Sequence, residues 1–138
     1  MAVTGTEGLF LLIARVLFGG VVAFMGLNHF LQTDQLAGYA EHKGLPAPRL
    51  GVLGTGAVLL LGGLAIVAGI YPVLGSLAVA AFLVVAALLI HNFWAVPDEE
   101  VQSEMTNFLK NIAMAGAAVG FAALGWQEWA FSVGLGLF

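Results

Sequence analysis

The stretch that decides the fold is VLGSLAVAAFLVVAALLIHNF, residues 73–93, which contains no charged side chain. Its apolar residues do not alternate with polar ones, which argues against a half-buried strand and against a membrane β-barrel. A helix of this length rises about 30 Å, the thickness of the hydrocarbon layer of a bilayer. Because a segment in lipid must satisfy its own backbone hydrogen bonds, the stretch is predicted to be a transmembrane helix.

Three other stretches have a similar length and apolar character, at residues 9–30, 50–70 and 108–131. Only Tyr71 and Pro72 join the second and third spans, so these two helices must be antiparallel neighbours. The chain is therefore predicted to be all-α, an integral membrane four-helix up-and-down bundle that forms a single domain over residues 1–138.

The connection between spans one and two is amphipathic. A short helix over residues 33–43 is predicted there, because Thr33 can cap it and Gly44, followed by two prolines, ends it. This helix is expected to lie flat in the membrane interface, with its apolar face toward the acyl chains.

The third connection reads AVPDEEVQSEMT, residues 95–106, and is acidic. It is expected to be solvated, with Pro97 and Asp98 resembling the start of a helix.

Composition supports a membrane protein and excludes several functions. Hydrophobic residues make up 61% of the chain and charged residues 9%, whereas a soluble domain carries about 25% charged residues. The net charge is −4 and there is no basic stripe, which excludes nucleic-acid binding. The chain has no Cys, so it offers no thiolate for metal or redox chemistry, and no metal is expected.

The first span is expected to be retained rather than cleaved as a signal peptide, since no basic residue precedes it. An even number of spans places both termini on one side of the membrane, here called side B. The two long connections lie on the opposite side, called side A. Lys43, Arg49 and Lys110 belong to side A and only Arg15 to side B. The positive-inside rule then predicts that side A is cytoplasmic and that the termini are outside.

Polar residues gather where the spans end on side A. A polar group at the edge of the hydrocarbon layer must be paired or face a cavity, so a polar ligand pocket is predicted there. Its candidate residues are Asn28, His29, Tyr39, His91, Asn92, Trp94, Lys110 and Asn111. The alternative is an interfacial belt of side chains at headgroup depth, which is favoured for Trp94.

Arg15 is a second anomaly, about two turns into span one, where a central Arg costs about 2.5–3.5 kcal/mol on insertion scales. It is expected to face the bundle interior and to form a structural ion pair with Glu128. Backbone carbonyls or Tyr71 are the alternative partners.

Small residues recur in the spans and are expected to let helices approach closely inside the bundle. Homodimerisation through one of these faces is the alternative. The residues concerned are Gly51, Gly54 and Gly62 in span two, and Ala113, Gly116, Ala117 and Gly120 in span four.

Several short motifs, in a fixed order, resemble the DoxX family of small four-span membrane proteins. They are Arg15, GLNHF at 26–30, GLPAP at 44–48, LLGGL at 60–64 with AG at 68–69, the His and aromatic residues of 91–94, and Lys110, Asn111 and Gly116. Two positions depart from the family pattern: His29 stands where Lys is usual, and Leu59 where many members carry an acidic residue.

The resemblance implies a protein of the prokaryotic plasma (inner) membrane that is associated with respiratory chemistry. Some family members are small subunits linked to a terminal quinol oxidase or to thiosulfate:quinone oxidoreductase, and others resemble assembly factors or chaperones. A partner subunit of a respiratory or redox complex is accordingly expected, along with membrane lipids. The chain has no self-sufficient catalytic motif, so it is at most a subunit of a membrane oxidoreductase.

The polar residues of side A suit three alternative functions. In the first, a quinone or quinol binds there: His29 and His91 exchange protons with it, Asn92 or Asn111 holds its second oxygen, and Trp94 stacks. In the second, the protein is a non-catalytic assembly or interaction subunit. In the third, His29 and His91 ligate a haem, which is disfavoured because the spans offer little to hold its propionates.

Overall fold

In a computed structural model, which describes residues 2–136, helices account for most of the chain. There are five α-helices, one 3₁₀ turn and two very short strands in these residues. They are β1 Ala2–Val3, α1 Gly5–Leu31, α2 Thr33–His42, α3 Pro48–Ala68, α4 Pro72–Leu89, the 3₁₀ turn Phe93–Ala95, α5 Asp98–Leu124 and β2 Glu128–Trp129. Four helices, α1, α3, α4 and α5, are long and apolar enough to cross a membrane. The predicted all-α membrane bundle is confirmed.

The tight turn between α3 and α4 has a local cause. Gly69 ends α3 with a positive φ of 68°, which costs a glycine nothing. Pro72 then starts α4 at the first helical position, where its missing N–H is not needed. The chain reverses within these few residues, as the short connection predicts.

The short helix α2 forms where it was predicted, but Thr33 does not cap it. The N-cap is Gln32, without a side-chain hydrogen bond. The Thr33 hydroxyl instead donates to the carbonyls of His29 and Phe30, at 2.8 and 2.9 Å, and so ties α2 to the last turn of α1.

Helix α5 begins ten residues earlier than the span predicted at 108–131, and it ends at Leu124. Its first turn holds Asp98, Glu99 and Glu100, whose negative charges stabilise a helix N-terminus. The helix start predicted at Pro97 and Asp98 is confirmed, and the acidic connection is largely helical. The residues after Gly125 turn back and form β2.

Glycines form the contact between α1 and α3. A Cβ added at Gly19 would lie 2.7 Å from the Gly63 carbonyl oxygen, and one at Gly26 would lie 2.7 Å from that of Gly56. At such distances backbone would meet backbone, so only glycine permits the approach. Gly62 makes room for α4, because a Cβ there would lie 2.6 Å from a side-chain methyl group of Val79.

Internal packing was also predicted for four other glycines, two in α3 and two in α5, and there the prediction is wrong. A Cβ added at any of them would meet nothing within 4 Å; they are Gly51, Gly54, Gly116 and Gly120. The buried face of α5 contains Ala115, Ala118 and Ala122. The small residues predicted to pack inside the bundle lie on the exposed face of this helix; they are Ala113, Gly116, Ala117 and Gly120.

The two short strands meet on side B. Strand β1 pairs in parallel with β2, with Ala2 opposite Glu128 and Val3 opposite Trp129. The Tyr71 amide donates to the Leu135 carbonyl at 2.6 Å, which holds the C-terminal segment over the α3–α4 turn.

Candidate functional site

A cleft of about 420 Å³ opens at side A between the ends of all five helices. Five of the residues predicted for a polar pocket line it: His29, Tyr39, His91, Lys110 and Asn111. Most of its remaining walls are apolar, and include Met25, Leu36, Leu45, Val52, Phe82, Val85, Leu89 and Ile90. The threading of the four spans thus brings both imidazoles into one cavity.

His29 reaches the cleft from the last turn of α1. Its close approach to α3 depends on Gly56, because a Cβ there would lie 2.6 Å from the His29 Cβ. The His29 ring stands edge-on to Phe82, with centroids 6.0 Å apart, and its Nδ1 lies 2.8 Å from the Met25 carbonyl oxygen. The ring is half-buried and directed between helices.

The central polar group of this region is the carboxylate of Glu104, which is only 7% exposed. Its Oε1 accepts a hydrogen bond from the Tyr39 hydroxyl at 2.6 Å, and its Oε2 lies 2.9 Å from Nδ1 of His91. Glu104 therefore links α5 to α2 and to the end of α4 through two side chains that line the cleft. We refer to Tyr39, His91 and Glu104 as the carboxylate cluster.

Sequence reasoning missed Glu104, since it placed this residue in a solvated connection. Because α5 starts at Asp98, Glu104 lies nearly two turns inside the helix. A signal was present: Glu104 precedes Asn111 by seven residues and Ala118 by fourteen, a spacing that places all three on one helix face.

The cluster keeps the phenol of Tyr39 protonated. Burial, the hydrogen bond to Glu104 and the negative charges of Glu104 and Glu100 together raise the pKa of Tyr39 well above its usual value. Lys43 lies over the Tyr39 ring, 5.7 Å from its centroid. The hydroxyl therefore acts as a hydrogen-bond donor across the physiological range.

Asn111 lines the cleft from α5, together with Asn107 and Lys110. It is 4% exposed, and none of the hydrogen bonds among residues 2–136 involves its side chain. Because it is not engaged by these residues, its amide can bind a ligand, either as a donor or as an acceptor of a hydrogen bond. Lys110, one residue earlier, is exposed, and its Nζ lies 3.3 Å from Oδ1 of Asn107.

Three residues predicted for the pocket lie outside its lining. Asn92 accepts a hydrogen bond from Lys43 at 3.1 Å. Trp94 is 57% exposed and packs edge-on against Phe93 and Phe108, which agrees with the interfacial-belt alternative. Asn28 is half-buried in the last turns of α1 but is absent from the cleft wall.

Arg15, at the opposite end of the bundle, is fully buried. It donates hydrogen bonds to four backbone carbonyls and stacks on Trp129; the carbonyls are those of Ile66 at 3.1 Å, Val67 at 2.5 Å, Ala130 at 2.9 Å and Phe131 at 3.2 Å. The ion pair predicted with Glu128 is not among the contacts of residues 2–136, and Glu128 is exposed. The carbonyl alternative is correct, because the segment after α5 folds back over the guanidinium.

The family comparison covers α1 to the end of α4. The DoxX family model matches residues 10–92, more than half of the chain, including His29, Tyr39 and His91 but not Glu104 or Asn111. Searches of curated proteins and of solved structures return no match. With four membrane-spanning helices and this match, the chain belongs to the DoxX family.

Proposed function

We propose that this multi-pass membrane protein is a quinone- or quinol-interacting subunit of a redox complex in a prokaryotic plasma membrane, with its ligand in the side-A cleft. The observation that carries the proposal is the cleft itself. Its volume of about 420 Å³ falls within the range of about 300–1,000 Å³ typical of small-molecule sites. It also combines apolar walls with a few convergent polar groups.

The cleft residues suit the parts of such a ligand. The apolar side chains of Leu36, Val85 and Leu89 can pack against a ring and the start of an isoprenoid tail. The Asn111 amide can bind one ring oxygen, while the ring nitrogens of His29 and His91 can form hydrogen bonds with the ligand. A bound quinone or quinol supplies two-electron, two-proton chemistry. Because the chain has no Cys, we assign further electron transfer to a partner subunit.

The charge distribution supports a cytoplasmic location for the cleft. Arg15 is enclosed by the bundle, so Lys43, Arg49 and Lys110, all on side A, are the basic residues that count toward the positive-inside rule. This arrangement favours cytoplasmic connections and external termini.

Two glycines of α3 allow a matched test. Gly51 lines the cleft and Gly54 does not, and a Cβ added at either would meet nothing within 4 Å. Wild-type protein purified in mild detergent should yield a bound isoprenoid quinone on organic extraction and mass spectrometry. Gly51→Phe should lose most of that quinone, whereas Gly54→Phe should retain it. Extracts from wild-type protein that contain only lipid would contradict the proposal.

A non-catalytic assembly subunit is the second candidate, favoured by the outward stripe on α5. Gly116 and Gly120 present open backbone to the surface, a feature that lets another transmembrane helix approach closely. The partner there would be a different subunit or a second copy of this chain. Gly116→Leu should then abolish a complex seen on native electrophoresis while leaving the quinone content unchanged.

A further inference from the structure

The hydrogen bonds of the two cleft imidazoles determine which ring nitrogen carries the proton. Nδ1 of His29 lies 2.8 Å from the Met25 carbonyl oxygen, and a carbonyl can only accept. Nδ1 must therefore be the protonated nitrogen. In the neutral ring, Nε2 is then left with a lone pair and acts as an acceptor.

His91 is fixed in the same state by a different group. Its Nδ1 lies 2.9 Å from Oε2 of Glu104, whose other oxygen already accepts from Tyr39. An ionised carboxylate only accepts, so Nδ1 of His91 is again the donor, and in the neutral ring Nε2 is the acceptor. No hydrogen bond within residues 2–136 engages Nε2 of either histidine.

We propose that the cleft selects a ligand that donates two hydrogen bonds, and so binds a quinol, the reduced aromatic diol, in preference to the quinone. Two hydroxyl groups would donate to Nε2 of His29 and of His91, and Asn111 could pair with either form. The two carbonyls of a quinone would place acceptor against acceptor and leave buried polar groups unpaired. This inference rests on the proposed function for the class of ligand, and adds its redox state.

Binding of decylubiquinol and decylubiquinone to the protein in nanodiscs, under anaerobic conditions at pH 8, tests the proposal. The quinol should bind about ten-fold more tightly or better, the ratio expected when one buried pairing is lost. Equal affinity, or tighter binding of the quinone, would overturn the inference and leave the proposed function standing. Binding of neither compound would overturn both.

Glu104→Gln sharpens the test, because a Gln amide can donate to Nδ1 as well as accept from it. The tautomer of His91 is then no longer fixed, and the quinol preference should shrink toward equal affinity. Glu99→Gln removes a carboxylate from the exposed first turn of the same helix and should leave the preference unchanged. A full preference in Glu104→Gln would contradict the role given to Glu104.

Nitrogen-15 NMR of the histidine rings reads the tautomers without any ligand. In a His42→Gln variant, which removes the exposed third histidine, both remaining rings should show a protonated Nδ1 and a bare Nε2 at pH 8. A protonated Nε2 on either ring would overturn the inference whatever the protein binds. A haem Soret band in the purified protein would also overturn it, because both Nε2 atoms would then be iron ligands.

Discussion

The two ends of the bundle each bury a charged side chain, and they satisfy it in opposite ways. On side B, Arg15 is enclosed by four backbone carbonyls and the face of Trp129. On side A, Glu104 is bound by the side chains of Tyr39 and His91, both of which border an open cleft.

The difference separates a structural charge from a chemically useful one. Backbone carbonyls do not titrate in water, so the partners of Arg15 can only hold helices and the C-terminal segment in place. The phenol and the imidazole that hold Glu104 border the cleft, where a ligand can reach their polar atoms. We therefore assign stability to the Arg15 end and ligand chemistry to the Glu104 end.

The largest expected effect is the loss of stability in Arg15→Met. Removing the guanidinium leaves four carbonyls without their donors, which should cost about 3–5 kcal/mol of unfolding free energy. Thermal unfolding in detergent measures the loss. Arg49→Met, which removes the same group from an exposed pair with Asp34, should cost less than about 1 kcal/mol. Similar losses of unfolding free energy in both variants would contradict the structural role assigned to Arg15.

Gly63→Ala examines the α1–α3 contact that joins the two ends. A Cβ at Gly63 would lie 2.5 Å from the Gly19 carbonyl oxygen, so the helices must separate, at a cost of about 3 kcal/mol. Gly116→Ala adds the same methyl group to open space and should be neutral or slightly stabilising, because Ala is the better helix former. Equal stability of the two variants would show that the contact is looser than described.

Glu104→Ala should cost about 2 kcal/mol, since Tyr39 and His91 lose an acceptor but lie beside a cleft that water can enter. The distinguishing result is functional: quinone content should fall in Glu104→Ala but remain in Arg15→Lys, which keeps a cation at side B. If Arg15→Lys folds normally and yet loses the ligand, the division of roles between the two ends is wrong.

The smallest expected effect is a pH dependence of Tyr39. A raised pKa in the folded state favours the neutral phenol, so its contribution to stability is complete below about pH 10, the usual value for Tyr, and is lost as pH rises above it. Because Tyr39 is 37% exposed, solvent should hold the contribution below about 1 kcal/mol.

Absorbance at 295 nm in Tyr71→Phe, which leaves Tyr39 as the only tyrosine, measures this ionisation directly. Adding Glu104→Gln should move the ionisation of Tyr39 back toward its ordinary pH. An ordinary titration already present in Tyr71→Phe alone would show that Glu104 does not hold the phenol.

The first three spans could be predicted from the sequence because their apolar runs are uninterrupted and lipid permits only helix there. The placement of His29 and His91 in one layer followed from the threading alone. The helix start at Pro97 and Asp98 was predicted correctly, but hydropathy could not show that this helix continues into the fourth span, since Asp98, Glu99 and Glu100 resemble a solvated loop. For the same reason, the position of Glu104 inside the helix was not predicted.

The sequence suggested backbone carbonyls only as alternative partners of Arg15 and could not show which carbonyls they are. Two of its four carbonyls, those of Ala130 and Phe131, belong to a segment more than 110 residues away that folds back after α5. Every residue has a backbone carbonyl, so residue identity does not show which carbonyls accept a hydrogen bond from Arg15. The acidic side chain of Glu128, in contrast, suggested an ion pair. Only the path of the chain decides between them.

Photoaffinity labelling with an azido-quinol analogue tests the central claim most directly. Peptide mapping should place the label on the cleft-lining ends of α1, α4 and α5, near His29, His91 and Asn111, and excess decylubiquinol should suppress it. Label spread over the lipid-facing surfaces of the helices and unaffected by the competitor would contradict a ligand site in the cleft.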